Sequence, residues 1–400
     1  MIFVTVFIDL LGFAIVLPLL PVYAQWFSTD HSGWQLGLLM ASFSLMQFLF
    51  APVWGRLSDR IGRRPVLMIG LAGSVVFYFL FGIATVQRSM ALLFLSRIGA
   101  GIAGATISTA QAYIADSTSL EQRPKGMALI GMAFGLGFTL GPLLGYLAVW
   151  GNPQQPGPAP GYVASALSAG ALVLAFFLLP ESLDRSRRQT VRHFFDAAAL
   201  RQAIETASIR PLLISIFVCV FSFANFETTL SLLIKGGDDM TTPFHFDFRQ
   251  VFLTYAFIGF MLALVQGMIV RRLAGRVPEG MLAGIGAGAQ VVGFVLVLLA
   301  VRGASTGLLF AALAVVVAGF GMMSPSLNSL LSRRSDPARQ GGILGVGQSV
   351  NSMARILGSG IGLPMLKASW SLPYVTAAGL MLLGLLLVLW ASRRGTDYAA

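Results

Sequence analysis

Apolar stretches of about 20 residues recur from one end of the chain to the other, and a helix of that length, at 1.5 Å per residue, crosses a hydrocarbon core of roughly 30 Å. Twelve segments meet the requirement: residues 2–24, 34–55, 65–86, 90–113, 125–148, 162–180, 210–234, 249–271, 279–301, 304–327, 340–364 and 372–392. Lipid offers no water to backbone N–H and C=O groups, so each segment is expected as a helix and the fold as all-α, with twelve transmembrane helices. Composition agrees: 11% of residues are charged, where soluble domains carry about a quarter. The first run lacks a basic leader and stays apolar too long for a cleaved signal, so it reads as a span. Numbering starts almost inside it, which leaves open whether a short leader precedes.

The Lys and Arg residues orient these spans. Of 27, 20 lie in the connections after spans 2, 4, 6, 8 and 10 and in the C-terminal tail, while Arg88, Lys235, Arg249, Arg302 and Lys367 lie in the others. Positive-inside then places both termini in the cytoplasm, with six spans on each side of the central connection. The expected organisation is a six-helix bundle over 1–180, a cytoplasmic linker over 181–209 and a second bundle over 210–400. VRHFFDAAALRQAIETA in the linker has the spacing of an amphipathic surface helix. Spans flanked by basic turns account for the net charge of +11, and no nucleic-acid-binding pattern appears.

Several chemistries are excluded. A single cysteine, Cys219, forms no intramolecular disulfide and no multi-cysteine metal site. His245 with Asp238, Asp239 and Asp247 reads as a solvated loop, and no metal is expected. The three His residues lie outside the spans, and no catalytic triad, HExxH or P-loop is present. Neither an enzyme nor an ATP-driven machine is expected, which leaves an ion gradient, with no cofactor, as the energy source.

Against this background GRLSDRIGRRP, residues 55–65, places five charges within ten residues. It joins spans 2 and 3 and reads as a cytoplasmic turn. GMIVRRLAGR joins the second and third spans of the second half, and matches Gly55 to Gly267, Arg60 to Arg272 and Arg64 to Arg276, as an internal repeat would. Span 5 carries GLGFTLGPLLGY, with Gly137, Gly141, Pro142 and Gly145. Glycines near four-residue spacing let helix backbones approach closely, and the proline favours a bend. Span 1 carries IDLLGFAIVLPLLP and span 4 carries SRIGAGIAGA.

These segments resemble the major facilitator superfamily, in particular its twelve-span drug/proton antiporters, which include tetracycline efflux proteins. The resemblance covers essentially the whole chain. It rests on Gly55, Asp59, Arg60, Gly62, Arg63 and Arg64 in the turn, on the span 5 motif, on Asp9, Gly12, Pro18 and Pro21 in span 1, and on Arg97 in span 4. Tyr146 stands where the antiporter motif has its last glycine. The resemblance implies two pseudo-symmetric six-helix bundles and secondary active transport by alternating access. The expected activity is proton-coupled antiport exporting lipophilic drugs or related small molecules. The alternative is proton-linked transport of a specific metabolite, an organic anion or a sugar. A monomer in the cell inner or plasma membrane is expected, with protons, lipid and a small-molecule substrate as its partners.

Charges within spans mark the transport path, because each costs about 2.5–3.5 kcal/mol at a helix centre. Asp9 reads as a carboxylate that exchanges a proton between the two faces, or as a packing contact near the interface. Arg97 stays charged at every accessible pH; the resemblance implies a role in proton coupling or in binding anionic groups. Glu227, beside Asn225, Thr228 and Thr229, is the acidic candidate of the second half. Arg355 shares a helix face with Gln348, Asn351 and Ser352, which serves a cavity wall or helix-to-helix hydrogen bonding. Gln111 is a further polar candidate within a span. Asp59 is expected to latch a cytoplasmic gate, with Arg60, Arg63 and Arg64 anchoring to headgroups and to acidic residues across the two halves.

Overall fold

The structure is a computed structural model that describes residues 2–27, 30, 32–117, 123–149, 157–183, 205–236, 242–273, 276–334 and 340–394. Most of the expected linker helix, most of the loop 151–161, and Asp238 and Asp239 lie outside the described residues. Helices dominate, and no strand occurs among the described residues.

The first predicted span is two helices, α1 (Ile2–Val16) and α2 (Leu20–Phe27), bent by 40°. The break brackets Pro18, whose missing N–H ends the first ladder. Then follow α3 (Trp34–Ile61), α4 (Arg63–Gln87), the broken pair α5 (Met90–Gly104) and α6 (Ile107–Ser117), α7 (Arg123–Ala148) and α8 (Ala159–Leu178). The second half holds α9 (Arg210–Lys235), α10 (Phe248–Leu264), a π-helical turn over Val265–Val270, α11 (Arg271–Leu273), α12 (Glu279–Arg302), α13 (Thr306–Arg333), α14 (Gln340–Ala368) and α15 (Leu372–Arg394). A helix thus covers each predicted segment. Among the described residues, however, nine are long and apolar enough to cross a membrane, and ten if the bent pair counts as one. In α7 the apolar part is the shorter Met132–Ala148. α14 falls short because Gln348, Asn351, Ser352 and Arg355 interrupt it.

The helices form two compact units, one of Met1–Thr29, Leu39–Phe194 and Phe246–Phe260, the other of Asp30–Leu38, Phe195–His245 and Met261–Ala400. In the first unit, α1 packs on α7 and α8, and α4 on α5 and α8. In the second, α12 packs on α13 and α15, and α9 on α14 and α15. Small residues set these approaches: a methyl at Gly141 would lie 2.5 Å from Ala14 Cβ, and one at Gly137 3.0 Å from Leu10 Cβ, so α7 meets α1 backbone to backbone. Outside the spans, Asp30 leads into α3: its carboxylate accepts the backbone N–H of Gln35 and both the hydroxyl and N–H of Ser32. Those bonds, Gln35 first, hold its pKa down to about 2.

One turn is built twice. Before α5, Arg88 adopts φ 49° and Ser89 caps the helix by accepting Leu92 N–H. Before α13, Ala304 adopts φ 48° and Ser305 accepts Leu308 N–H. The backbone bonds match as well: Ser89 N–H reaches Ala84 O at 3.1 Å, and Ser305 N–H reaches Ala300 O at 3.0 Å.

Candidate functional site

In the first unit α5 carries Arg97 inward. The residue is 2% exposed; its guanidinium carbon sits 4.3 Å from the Phe43 ring centroid and 5.9 Å from that of Phe13. Those two rings stack at 4.9 Å. The aromatic faces supply cation–π attraction and no hydrogen-bond acceptor. Nε and Nη1 of Arg97 are buried with no hydrogen-bond partner among the described residues. Position follows from glycine: Gly101 meets the backbone of Phe43, where a methyl would come within 2.6 Å of its carbonyl oxygen. That proximity draws α5 against α3 and sets Phe43 beside Arg97.

Asp9 lies on α1 in the same unit, half-buried, and accepts a hydrogen bond from Ser168 Oγ at 3.2 Å. Among the described residues no ion pair joins it to Arg97. Tyr78 lies in the same unit, and Gly12 leaves space for its ring, which a methyl there would meet at 3.1 Å.

The second unit pairs its two charges. Arg355 Nη1 donates to Glu227 Oε2 at 2.7 Å, their side chains being 37% and 26% exposed. Beside the pair, Thr228 Oγ1 donates to Ser359 Oγ at 3.0 Å. α9 and α14 approach through Gly358, where a methyl would lie 2.7 Å from Phe221 O. Gln348 is exposed and Asn351 half-buried on the same helix as Arg355. The side chains of Gln111 and Asp59 lie outside the described residues.

The charged motif is helix, not turn. α3 runs through Gly55 to Ile61 and α4 starts at Arg63, so Gly62 alone makes the reversal, at φ 113°, ψ 157°. That region is open essentially only to glycine. Glu181 then caps α4: its carboxylate accepts the N–H of Arg63 at 2.9 Å and of Arg64 at 3.2 Å, as suits the positive end of a helix. Arg63 is 8% exposed, and donates to Asp116 at 3.0 Å and to Ser58 at 2.6 Å. Arg60 is exposed. In the second unit, Glu279 at the start of α12 meets Arg333 at the end of α13 at 2.7 Å. The two contacts tie corresponding helices, those over the third and fourth predicted segments of each sequence half, with the signs exchanged.

Sequence reasoning missed Phe13, Phe43, Ser168, Tyr78, Glu181 and Asp116. The last two carried a signal, being acids placed just beyond spans 6 and 4 in a chain with only 16 Asp and Glu. Among the described residues, no cluster of three or more His, Cys, Asp and Glu is suited to a metal ion.

Comparison with known proteins gives this geometry its context. The sequence matches the Major Facilitator Superfamily over residues 2–359. It is 32% identical over 397 residues to the tetracycline resistance protein, class C, of Escherichia coli, covering 98% of this chain and 95% of that protein. The crystal structure of the human organic anion transporter MFSD10 (TETRAN) superposes with a TM-score of 0.72 at 28% identity, covering 97% of both chains. A D-xylose–proton symporter superposes with a TM-score of 0.76 at 18% identity, covering 99% of this chain and 97% of that one, and shares the fold.

Proposed function

The chain belongs to the major facilitator superfamily, and from that premise we propose that it carries a small organic anion across the membrane, its movement linked to a proton held at Asp9. Membership makes it an integral, multi-pass membrane protein that moves small molecules by secondary active transport, and a transport protein rather than an enzyme. The proposal adds twelve spans in two six-helix bundles (1–180 and 210–400, joined by 181–209), both termini in the cytoplasm, a monomer in the cell's own membrane, and the proton gradient as energy source.

Arg97 carries the reading. A permanent guanidinium charge is buried against two aromatic faces, with Nε and Nη1 lacking acceptors among the described residues. Leaving such a group unpaired is costly, and the planar fork of donors matches a carboxylate or a similar oxyanion. Phe13 and Phe43 offer the apolar body of such a ligand a surface. In this reading Asp9, on a neighbouring helix and without a cationic partner among the described residues, takes up and releases the coupled proton. In the second unit Glu227 and Arg355 neutralise one another, whereas Arg97 has no anionic partner among the described residues and is the charge the substrate meets in this reading.

A second reading, export of lipophilic drugs in exchange for protons, is favoured by the identity to the tetracycline resistance protein and by the Gly137, Gly141, Pro142, Gly145 helix. Ligand binding separates the two. Purified protein is titrated with aryl and alkyl carboxylates, with lipophilic cations and with tetracycline, for wild type, Arg97→Lys and Arg97→Gln. Carboxylates are expected to bind saturably, and Arg97→Gln to weaken them about 10- to 100-fold, with Arg97→Lys in between. Binding of cations or tetracycline alone, indifferent to Arg97, would replace the anion reading with drug export.

A further inference from the structure

A second cationic site lies away from Arg97. Where α13 ends, α12 begins and α15 finishes, an open cavity of about 700 Å³ is lined by four arginines and a single carboxylate, Glu279. Two of the arginines are fixed within the protein. Arg333 Nη1 binds both oxygens of Glu279, at 2.8 and 2.7 Å, and Arg334, 5% exposed, donates to Ala391 O at 3.0 Å and Ser208 O at 3.3 Å. The other two, Arg276 and Arg393, are exposed, and neither side chain makes a hydrogen bond or ion pair among the described residues. The cavity therefore keeps a surplus of positive charge over a hydrogen-bonded wall, with two exposed arginines at its mouth.

Its apolar side distinguishes this cavity from a phosphate site open to water. Met281 and Leu389 line it and are 58% and 36% exposed. Below them the exposed face continues along α12 through Ile285 (48%) and along α15 through Leu386 (58%) and Leu382 (48%), positions that share a helix face at four- and seven-residue spacing. In a membrane protein such side chains meet acyl chains. Cationic groups at the helix ends over an apolar track match a phosphodiester headgroup with its tails.

We propose that this cavity binds the headgroup of an anionic phospholipid, the phosphate held by Arg276 and Arg393 over the Arg333–Glu279 and Arg334 wall, with the tails along α12 and α15. The connections that build it belong to the arginine-rich set assigned to the cytoplasm, so the lipid would come from the inner leaflet.

The test titrates the detergent-solubilised full chain with phosphatidylglycerol, phosphatidylcholine, and inorganic phosphate with glycerol phosphate, reading bound adducts by native mass spectrometry. Wild type, Arg276→Gln/Arg393→Gln and a control, Arg302→Gln at the opposite helix end, are compared. Both cavity arginines are exposed and bond no described side chain, so the double variant is expected to fold; its melting profile checks this, and Met281→Asp/Leu389→Asp tests the apolar wall separately. Phosphatidylglycerol should bind wild type and the control alike, and the double arginine variant about 30-fold more weakly, at about one kcal/mol per arginine. Equal binding of phosphatidylcholine, or unchanged phosphatidylglycerol binding in both cavity variants, would overturn the proposal. Binding of free phosphate or glycerol phosphate as tight as that of the lipid would overturn it in favour of a soluble ligand.

Discussion

Arg97 and the Glu227–Arg355 pair are the same problem solved in two ways. A charge inside an apolar span needs an opposite charge, a wet cavity or a ligand. In the second unit Arg355 finds Glu227 at 2.7 Å; in the first, among the described residues, Arg97 lies against the Phe13 and Phe43 rings with Nε and Nη1 unbonded. All three residues stood out in the sequence because charge is rare within the spans. Their partners did not: the pair joins residues 128 positions apart, and Phe13 and Phe43 are two among 30 phenylalanines. The pairing predicts a thermal-melting result in detergent. Glu227→Gln and Arg355→Gln should each destabilise by about 1–2 kcal/mol, discounted from the buried-pair range for their partial exposure. The double variant should recover at least half of the summed loss, a coupling within about 0.5–3 kcal/mol. Additive losses would mean that the two charges act apart.

At the scale of elements, length and apolarity were legible, and breaks were not. Pro18 splits the first span, and Gly62 alone makes the turn that hydropathy spreads over residues 56–64. No hydropathy pattern shows that Glu181 can cap α4 from the end of α8. The repeat was visible faintly at Gly55 and Gly267; the structure repeats more plainly at Arg88–Ser89 and Ala304–Ser305, where Ala84, Ser89, Leu92, Leu93 and Phe94 match Ala300, Ser305, Leu308, Leu309 and Phe310 in sequence as well. It repeats also in the contacts Arg63–Asp116 and Glu279–Arg333, whose exchanged signs conceal the equivalence from residue-by-residue matching. The glycines of α7 divide by what they face. A methyl at Gly141 meets Ala14 and the Leu11 carbonyl, while one at Gly135 meets nothing within 4 Å. Gly141→Val should therefore cost about 1–3 kcal/mol by overpacking, seen as a lowered melting temperature and lost transport. Gly135→Ala should stay within about 0.5 kcal/mol of wild type; equal effects would refute the α1–α7 contact.

At the scale of the whole molecule, the proposed anion site at Arg97 and proton site at Asp9 belong to the same unit, in a chain whose Lys and Arg residues concentrate in alternate connections between the predicted spans. Transport class was legible from the motifs, but substrate class was not, since one fold serves many ligands. The guanidinium with unused donors came into view only when side chains from α1, α3 and α5 were brought together. Coupling is the central claim, and proton flux tests it most directly. The full chain is reconstituted in liposomes enclosing a pH-sensitive dye, and a carboxylate selected by the binding panel is added outside without an imposed gradient. Wild type should change the internal pH as the anion moves. Asp9→Asn should move labelled anion by exchange without that pH change, and Arg97→Gln should do neither. Anion movement by wild type with no proton flux, or proton flux unchanged in Asp9→Asn, would contradict the account.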